Sequence, residues 1–289
     1  MPTPTVRSAS PPAPGTGNLR RLGILAGSGP LPRRLVETCK AEGRSFFVLA
    51  FDGETEPATV SGTDHAWVRV GAVGKAIELL KQAGCGELVL AGPVRRRSPM
   101  AFRPDWRGLQ FFARVGRRAW GDDGLLSAVI QELEAEGFRV IGAEDILPTL
   151  LAPAGPFGRE APDADAMADI ARGIEILATL GSLYIAQAVI VQQGVVLGIE
   201  AVEGTDRLME RCRDLHREGR GGVLVKMPKP GQENRVDLPT IGSRTVERAH
   251  RAGLTGIAVA AGATIVLDRE TVGELADRLG LFVYGFVKP

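Results

Sequence analysis

The first half of the chain alternates between short apolar runs and stretches with a helical repeat. Strands are predicted where mostly apolar residues stand together, at 22–27 (LGILAG), 46–51 (FFVLAF), 65–70 (HAWVRV), 87–92 (ELVLAG) and 139–143 (RVIGA). Apolar residues recur at helical spacing between them, at 29–43, 73–84 and 125–138. This alternation predicts a mostly parallel sheet with helices on its faces.

The second half repeats the α/β pattern, but it contains tight strand connections. Helices are predicted at 165–183, 243–254 and 270–280. Strands are predicted at 222–226 and 281–286, as two strands within 187–201, and as a strand pair within 256–268. Gln193-Gly194 is the predicted turn of the first pair. Hairpins of this kind indicate a mixed sheet.

A proline-rich stretch with little periodicity separates these two halves. The chain has 289 residues, a comfortable length for two domains. We therefore predict an α/β protein with an N-terminal Rossmann-like domain at 21–150, a linker at about 151–162 and a C-terminal α/β domain at 163–289. Residues 1–20, which are rich in Pro, Ala, Ser and Thr, are predicted to be a disordered tail.

Charge and composition narrow the class of protein. The formal net charge of +1 gives no electrostatic reason to bind nucleic acid. No apolar run approaches the roughly 20 residues of a membrane span, and the N-terminus lacks the apolar core of a secretory signal. Three widely spaced cysteines without a CxxC pair, Cys39, Cys85 and Cys212, indicate free thiols in a reducing cytosol.

Two regions of the first half have residues suited to a phosphate. Gly27 and Gly29 follow a strand and precede a helix, so backbone N–H groups could approach an anion there, although a tight turn explains them equally well. Arg95 and its two neighbours follow another strand end, and the alternative is a solvated basic loop. Asp122 and Asp123 are either helix caps or site residues.

Three carboxylates lie within one strand-to-helix turn of the second half. Glu200 and Glu203 follow a predicted strand, and Asp206 opens the next helix beside Thr205. Grouped carboxylate oxygens suit Mg²⁺, whereas Thr205 or Asp206 could instead cap the helix.

Charges of both signs crowd residues 226–237, between a predicted strand and Pro239. Lys226, Lys229 and Arg235 would repel one another without an anion, and Asp237 with Glu233 supplies part of the balance. Cations that neutralise phosphate oxygens and carboxylates that hold metal or orient water are parts of a phosphoryl-transfer site. The alternative is a salt-bridged loop.

These stretches together resemble one family. The ordered motifs LGILAGSGPLP, GAVGKAIELLKQAG, AGPVRR, GDDGLL, IEAVEGTDRLMER and KPGQENRVDLPTIG are similar to those of the LpxI-type UDP-2,3-diacylglucosamine pyrophosphatases, from about Leu22 to Gly285. The resemblance implies hydrolysis of UDP-2,3-diacylglucosamine to lipid X and UMP in lipid A biosynthesis, by water attack at the α-phosphorus with Mg²⁺ or Mn²⁺. It also implies a cytoplasmic homodimer that touches the inner membrane surface transiently, with UDP on the Rossmann-like domain and catalysis on the C-terminal one.

The same resemblance suggests roles for individual residues. The predicted catalytic residues are Asp237, Asp206, Lys226 and Arg235, and the predicted metal ligands are Asp237, Asp206, Glu203 and Glu200. The predicted substrate-binding residues are Gly27, Ser28, Gly29, Lys75, Arg95, Gln187, Thr205, Lys229, Gln232 and Thr240. Tyr184 and Ala186 depart from the family pattern, in which Asp and Gly are frequent at these positions.

Three other functions remain open on the sequence alone. A non-catalytic nucleotide-sugar sensor would not need Asp206 and Asp237 together. A metal-dependent nucleotidyltransferase or glycosyltransferase is separated by its products, because glycosyl transfer releases UDP rather than UMP. A dehydrogenase is disfavoured by the incomplete dinucleotide fingerprint.

Overall fold

The computed structural model describes residues 20–95, 104–115, 122–230, 235 and 238–288. The predicted tail therefore lies outside the described residues, apart from residue 20. Gln232, Glu233 and Asp237 also lie outside them, as do the side chains of Asp122 and Asp123.

The N-terminal half forms one five-stranded parallel sheet. Its strands are β1 (Arg21–Ala26), β2 (Phe46–Phe51), β3 (His65–Val68), β4 (Cys85–Ala91) and β5 (Arg139–Ile141), in the order β3-β2-β1-β4-β5. Its helices are α1 (Pro30–Ala41), α2 (Pro57–Val60), α3 (Val73–Gln82), α4 (Trp106–Val115) and α5 (Asp122–Ala135). Alternate residues of β1 enter two separate apolar cores, Leu22 and Ile24 on one face and Leu25 on the other, so helices cover both faces. The predicted parallel sheet is confirmed.

The C-terminal half contains a six-stranded mixed sheet. Its strands are β6 (Gly155–Pro156), β7 (Ala188–Gln192), β8 (Val195–Ile199), β9 (Val223–Lys226), β11 (Gly256–Ala260) and β13 (Phe282–Phe286), in the order β6-β13-β11-β9-β7-β8. A separate parallel pair joins β10 (Thr240–Ile241) to β12 (Ile265–Val266). The helices are α6 (Ala164–Gly181), α7 (Gly204–Cys212), α8 (Ser243–Arg251) and α9 (Arg269–Leu279). The mixed α/β fold class is thus as predicted.

The two predicted strand pairs of this half have different outcomes. The β7–β8 hairpin is confirmed: Gln193 and Gly194 both have positive φ, at 52° and 75°, and the carboxylate of Asp169 accepts both of their N–H groups. Both strands predicted within 256–268 are present, as β11 and β12, but they are not paired with each other. Because β9 and β13 already occupy both edges of β11, β12 pairs with β10 instead.

The predicted linker is hydrogen-bonded to several elements of the C-terminal half. Leu151 forms a bridge with Ile265, β6 pairs with β13, and the carboxylate of Asp277 accepts the N–H groups of Arg159 and Glu160. Across the two halves, Arg34 of α1 pairs with Asp268 at 2.7 Å. This polypeptide is therefore held by hydrogen bonds rather than hanging free between domains.

The three cysteines are free, as predicted, and all three are buried. Burial raises the pKa of the Cys85 thiol to about 11, so little reactive thiolate forms near neutral pH.

Within the part of the chain that is described, no helix is both long and apolar enough to cross a membrane.

Candidate functional site

The strand directions of the C-terminal sheet bring two charged strand ends to one edge. β7 runs antiparallel to both β8 and β9, so β8 and β9 finish at the same edge of the sheet. Glu200 follows the end of β8, and Lys226 is the last residue of β9, paired with Ala188 at the start of β7. Residues far apart in the sequence are thereby placed together.

A chain of hydrogen bonds runs through this edge. The ammonium of Lys226 donates to Oγ1 of Thr205 at 2.9 Å and, more weakly, to the carbonyl of Thr240 at 3.5 Å. Thr205 in turn donates to Oε1 of Glu200 at 2.6 Å, and Oε2 of Glu200 accepts the N–H of Gln187 at 3.1 Å. Lys226 is only 7% exposed, so a cation is held at the strand ends by a polar chain.

The local sequence explains why Thr205 reaches this position. Gly204 has φ 79°, a conformation that side-chain-bearing residues rarely adopt, and it starts α7 immediately after the β8 turn. The helix packs its apolar face through Leu208 and Met209 against the core below the sheet. Thr205, one residue into the helix, is consequently aimed across the turn at Glu200.

Glu203 and Asp206 take no part in the hydrogen bonds between Lys226, Thr205 and Glu200, and instead contact arginines. Glu203 accepts from Nε of Arg211 at 3.1 Å, and Asp206 lies 3.3 Å from Arg244 and 3.2 Å from Arg248. Hydrogen bonding by the backbone N–H of Glu203 and by Arg211 holds the pKa of the Glu203 carboxyl below its usual value. Both carboxylates are thus balanced by cations of the chain itself.

The sequence analysis missed the two arginines of α8. A signal for them was available, because Arg244 and Arg248 are four residues apart and so share one helix face. That face meets the first turn of α7, where it engages Asp206.

The predicted metal ligands do not come together in the described part of the structure. Among residues 20–95, 104–115, 122–230, 235 and 238–288, no group of three or more His, Cys, Asp or Glu side chains is placed to hold a metal ion. Glu200, Glu203 and Asp206 each bind a different part of the chain. The fourth predicted ligand, Asp237, lies outside the described residues, so these described carboxylates do not fit a metal site by themselves.

The glycine turn after β1 is hydrogen-bonded to the end of the neighbouring strand β4. The N–H of Gly27 donates to the carbonyl of Ala91, and the N–H of Ser28 donates to that of Pro93, both at 2.8 Å. A Cβ on Gly27 would lie 2.4 Å from the carbonyl oxygen of Gly92, so glycine is needed for this close approach. The N–H of Gly27 is thus used by the end of β4, and the predicted contact of this turn with UDP stays a prediction.

The other predicted substrate-binding residues are spread over both halves. Lys75 pairs with Glu78 on α3 at 3.0 Å, and the backbone N–H of Arg95 donates to the buried carboxylate of Glu54 at 3.2 Å. Lys229 is half-buried three residues beyond β9, and Gly29 precedes α1 with φ 82°. Their roles in binding stay predictions.

Arg235 bridges the two halves of the chain. Its Nη1 donates to Oε1 of Glu134 at 2.6 Å and to the carbonyl of Val140 at 3.2 Å. The predicted catalytic arginine therefore connects the charged C-terminal segment to the N-terminal domain.

The two departures from the family pattern occupy unusual backbone positions. Tyr184 and Ala186 have φ 59° and 61°, in the left-handed region that glycine adopts most easily. They flank Ile185 in the loop that leads to Gln187 and so to the candidate site.

Family models cover both halves of the chain. The model described as the LpxI N-terminal domain matches residues 21–150, and the LpxI C-terminal domain matches residues 153–284. The chain belongs to the LpxI family. A relative with the same family name, the UDP-2,3-diacylglucosamine pyrophosphatase LpxI of Caulobacter vibrioides, is 42% identical over 274 residues, which cover 92% of this chain and 98% of the relative.

Solved structures add little to the LpxI assignment. The precorrin-6A reductase CobK is 14% identical, with 94% of this chain and 89% of that chain covered and a TM-score of 0.33. The biotin carboxylase domain of the Hydrogenobacter thermophilus 2-oxoglutarate carboxylase is 12% identical, with 68% and 40% covered and a TM-score of 0.26. Scores this low carry no argument about this LpxI-family chain.

Proposed function

We propose that this chain is a hydrolase that cleaves the pyrophosphate bond of UDP-2,3-diacylglucosamine in lipid A biosynthesis. The supporting observation is the match to the family over both domains, together with a 42% identical relative named for this activity. We further propose that water attacks the α-phosphorus and that the products are 2,3-diacylglucosamine 1-phosphate (lipid X) and UMP.

Lys226 is the described residue best suited to the phosphate chemistry. Cleavage of a pyrophosphate places growing negative charge on the phosphate oxygens, and a fixed cation in a water-poor site stabilises that charge strongly. The ammonium of Lys226 is buried at a strand end and held by Thr205. Asp237, eleven residues further along the sequence, is proposed to act as general base or metal ligand.

Dependence on Mg²⁺ or Mn²⁺ is part of the proposal. A divalent ion would neutralise phosphate oxygens and lower the pKa of bound water. Glu200, Glu203 and Asp206 each contact another side chain of the protein, so such an ion would depend on Asp237 and its neighbours. The proposed role of Lys226, stabilising negative charge on the phosphate oxygens, does not depend on the ion.

The remaining partners follow from the family resemblance. We propose that the N-terminal domain takes the UDP part of the substrate, that two chains form a homodimer, and that the protein meets its lipid substrate at the cytoplasmic face of the inner membrane. Light scattering of the purified protein tests the dimer, and co-sedimentation with lipid vesicles tests the membrane contact.

Product analysis in ¹⁸O-labelled water tests the reaction. Purified protein is given UDP-2,3-diacylglucosamine with Mg²⁺, with Mn²⁺ or with EDTA, and the masses of the products are measured by mass spectrometry. Attack at the α-phosphorus places ¹⁸O in UMP, whereas attack at the other phosphorus places it in the sugar phosphate. We expect labelled UMP, in the presence of metal only.

Asp237→Asn is the companion variant, because it removes the charge and keeps the size of the side chain. We expect the loss of nearly all UMP formation with an unchanged thermal unfolding midpoint. Substrate binding without UMP release from the unaltered protein would overturn the proposal in favour of a nucleotide-sugar-binding protein. Release of UDP would indicate glycosyl transfer.

A further inference from the structure

The hydrogen-bonded chain at the β8 and β9 ends suggests a role for Glu200 that differs from metal binding. We propose that Glu200 and Thr205 are positioning residues that fix the ammonium of Lys226, and that Glu200 is not a metal ligand. This inference rests on the proposed function, since it assigns Lys226 the task of stabilising phosphate charge.

A lysine needs external support to act as a fixed charge. Its four-carbon side chain is flexible, and holding it in one conformation costs conformational entropy. Burial adds a cost unless the ammonium finds polar partners. Lys226 is 7% exposed, and two of its three donors are directed at Thr205 and Thr240. The contact with Thr205, with weaker support from Thr240, orients the ammonium at the strand end.

The hydroxyl of Thr205 has a defined orientation. It has one proton, which it donates to Glu200 at 2.6 Å, so only its lone pairs remain to face Lys226. A neutral hydroxyl would otherwise rotate and could turn its proton toward the ammonium. Its proton is therefore engaged within the protein and is not available to a substrate.

Both oxygens of Glu200 are engaged by the protein. Oε1 accepts from Thr205 and Oε2 accepts the backbone N–H of Gln187, which anchors the carboxylate to the entry of β7. Glu200 thus joins the beginning of β7, the end of β8 and the first turn of α7. It also balances the charge of Lys226 through an intervening hydroxyl instead of by direct contact, which leaves the distance between the two charges larger than in an ion pair.

Three substitutions test the chain of contacts. Thr205→Val keeps the shape of the side chain and removes the hydroxyl, and Thr205→Ser restores it. Glu200→Gln keeps an acceptor for Thr205 but can turn an N–H₂ group toward the N–H of Gln187. Thr179→Val is a matched control, because its hydroxyl donates only to the Glu175 carbonyl within α6.

The first measurement separates kcat from KM. We expect Thr205→Val to lower kcat about 10- to 100-fold, the scale of a lost transition-state contact, with KM changed less than about 3-fold. Thr205→Ser is expected to recover kcat to within about 3-fold, and Thr179→Val to equal the unaltered protein. Loss of activity in Thr205→Val with no recovery in Thr205→Ser would overturn the positioning role.

The second measurement is the Mg²⁺ concentration needed for half-maximal activity. If Glu200 positions Lys226, Glu200→Gln lowers kcat by about 10-fold while this concentration is unchanged. A lost ligand would raise it about 10- to 100-fold or more, because even a residue that only supports a ligand costs that much when altered. A shift of that size overturns the proposal.

A spectroscopic measurement keeps the inference separate from the proposed function. A buried, hydrogen-bonded lysine ammonium exchanges slowly with water and gives a ¹H–¹⁵N NMR signal, which is assigned by its loss in Lys226→Met. We expect this signal in the unaltered protein and in Thr205→Ser, and its loss or marked shift in Thr205→Val. If the unaltered protein makes no UMP, the proposed function fails while this signal still tests the positioning. An unchanged signal in a folded Thr205→Val protein overturns it.

Discussion

The strand-to-helix turn after β1 and the one after β8 differ in how they use their polar groups. After β1, the N–H groups of Gly27 and Ser28 donate hydrogen bonds to backbone carbonyls at the end of β4, which hold the turn against the sheet. After β8, Glu200 and Thr205 form a chain that ends on a buried cation. Both turns lie at strand ends, where α/β sheets bind ligands, so position alone does not distinguish a site from a structural turn.

The two turns are distinguished by the groups that take part in their hydrogen bonds. Backbone donors satisfied by backbone acceptors leave a turn with no net charge to offer a ligand. A side-chain charge that is buried and held by other side chains costs stability, and such a cost is expected where function requires it. The β8 turn and the end of β9 are therefore the stronger candidates for phosphate chemistry.

Replacement of the buried Lys226 is expected to have the largest effect on the reaction. We expect Lys226→Met to lower kcat for UMP formation about 10²- to 10³-fold, because the transition state loses a fixed charge. Stability should also fall, by about 1–3 kcal/mol, because Thr205 and Glu200 lose the cation that they hold. Steady-state kinetics and thermal unfolding measure the two effects.

Lys40→Met is the matched substitution in the N-terminal half. Lys40 is exposed on α1 and donates to the carbonyl of Ser61, so we expect a change in kcat smaller than about 3-fold. Equal losses in the two variants would contradict the contrast between the two halves.

A methyl group in the closed turn should affect stability rather than chemistry. In Gly27→Ala the new Cβ would lie 2.4 Å and 2.6 Å from the carbonyl oxygens of Gly92 and Pro93, which are backbone atoms that cannot rotate away. We expect a loss of about 3 kcal/mol in the free energy of unfolding. Urea denaturation of the two proteins measures it.

Gly198→Ala is the control for this substitution, because it lies in the other sheet. Its Cβ would meet the side chains of Cys212 and Leu208, which can adjust, so we expect a loss of about 1 kcal/mol. If Gly27→Ala is as mild as this control, the β1 turn is looser than its hydrogen bonds indicate.

Much of the fold was predictable because hydrophobic periodicity is a local property. The parallel sheet and the Gln193-Gly194 hairpin follow from runs and turns that stand in the sequence itself. The pairing of β12 with β10 does not, because it depends on which edges other strands already occupy. No local pattern contains that information.

The candidate site shows the same division. The sequence indicates that Glu200, Thr205 and Lys226 are polar residues at strand ends. It does not indicate that Thr205 joins the other two, since the contact depends on the antiparallel course of β7. The partners of Asp206 were missed for a related reason: Arg244 and Arg248 lie on a helix about forty residues further along the sequence.

The smallest difference between the two halves is expected in acid. In the C-terminal half, Arg220 and the N–H of Ala166 hold the pKa of Asp163 below its usual value. The pKa of Asp277 is also lowered, because hydrogen bonds from Arg159 and Glu160 outweigh the effect of burial. Groups with a lowered folded pKa stabilise the fold above their unfolded pKa, near 4, and this contribution is lost as the pH falls through the folded value.

The N-terminal half has a compensating group. Burial raises the pKa of Glu144, so its protonation removes a penalty as the pH falls, although the lowered pKa of Glu136 acts the other way. We therefore expect the C-terminal half to loosen first below pH 4. Brief hydrogen-exchange pulses at each pH, read by mass spectrometry of peptides from each half, measure the order, and Asp277→Asn should flatten the pH dependence of the C-terminal peptides. Earlier exchange in the N-terminal peptides would contradict the expectation, because it would place the acid-sensitive carboxylates in the N-terminal half.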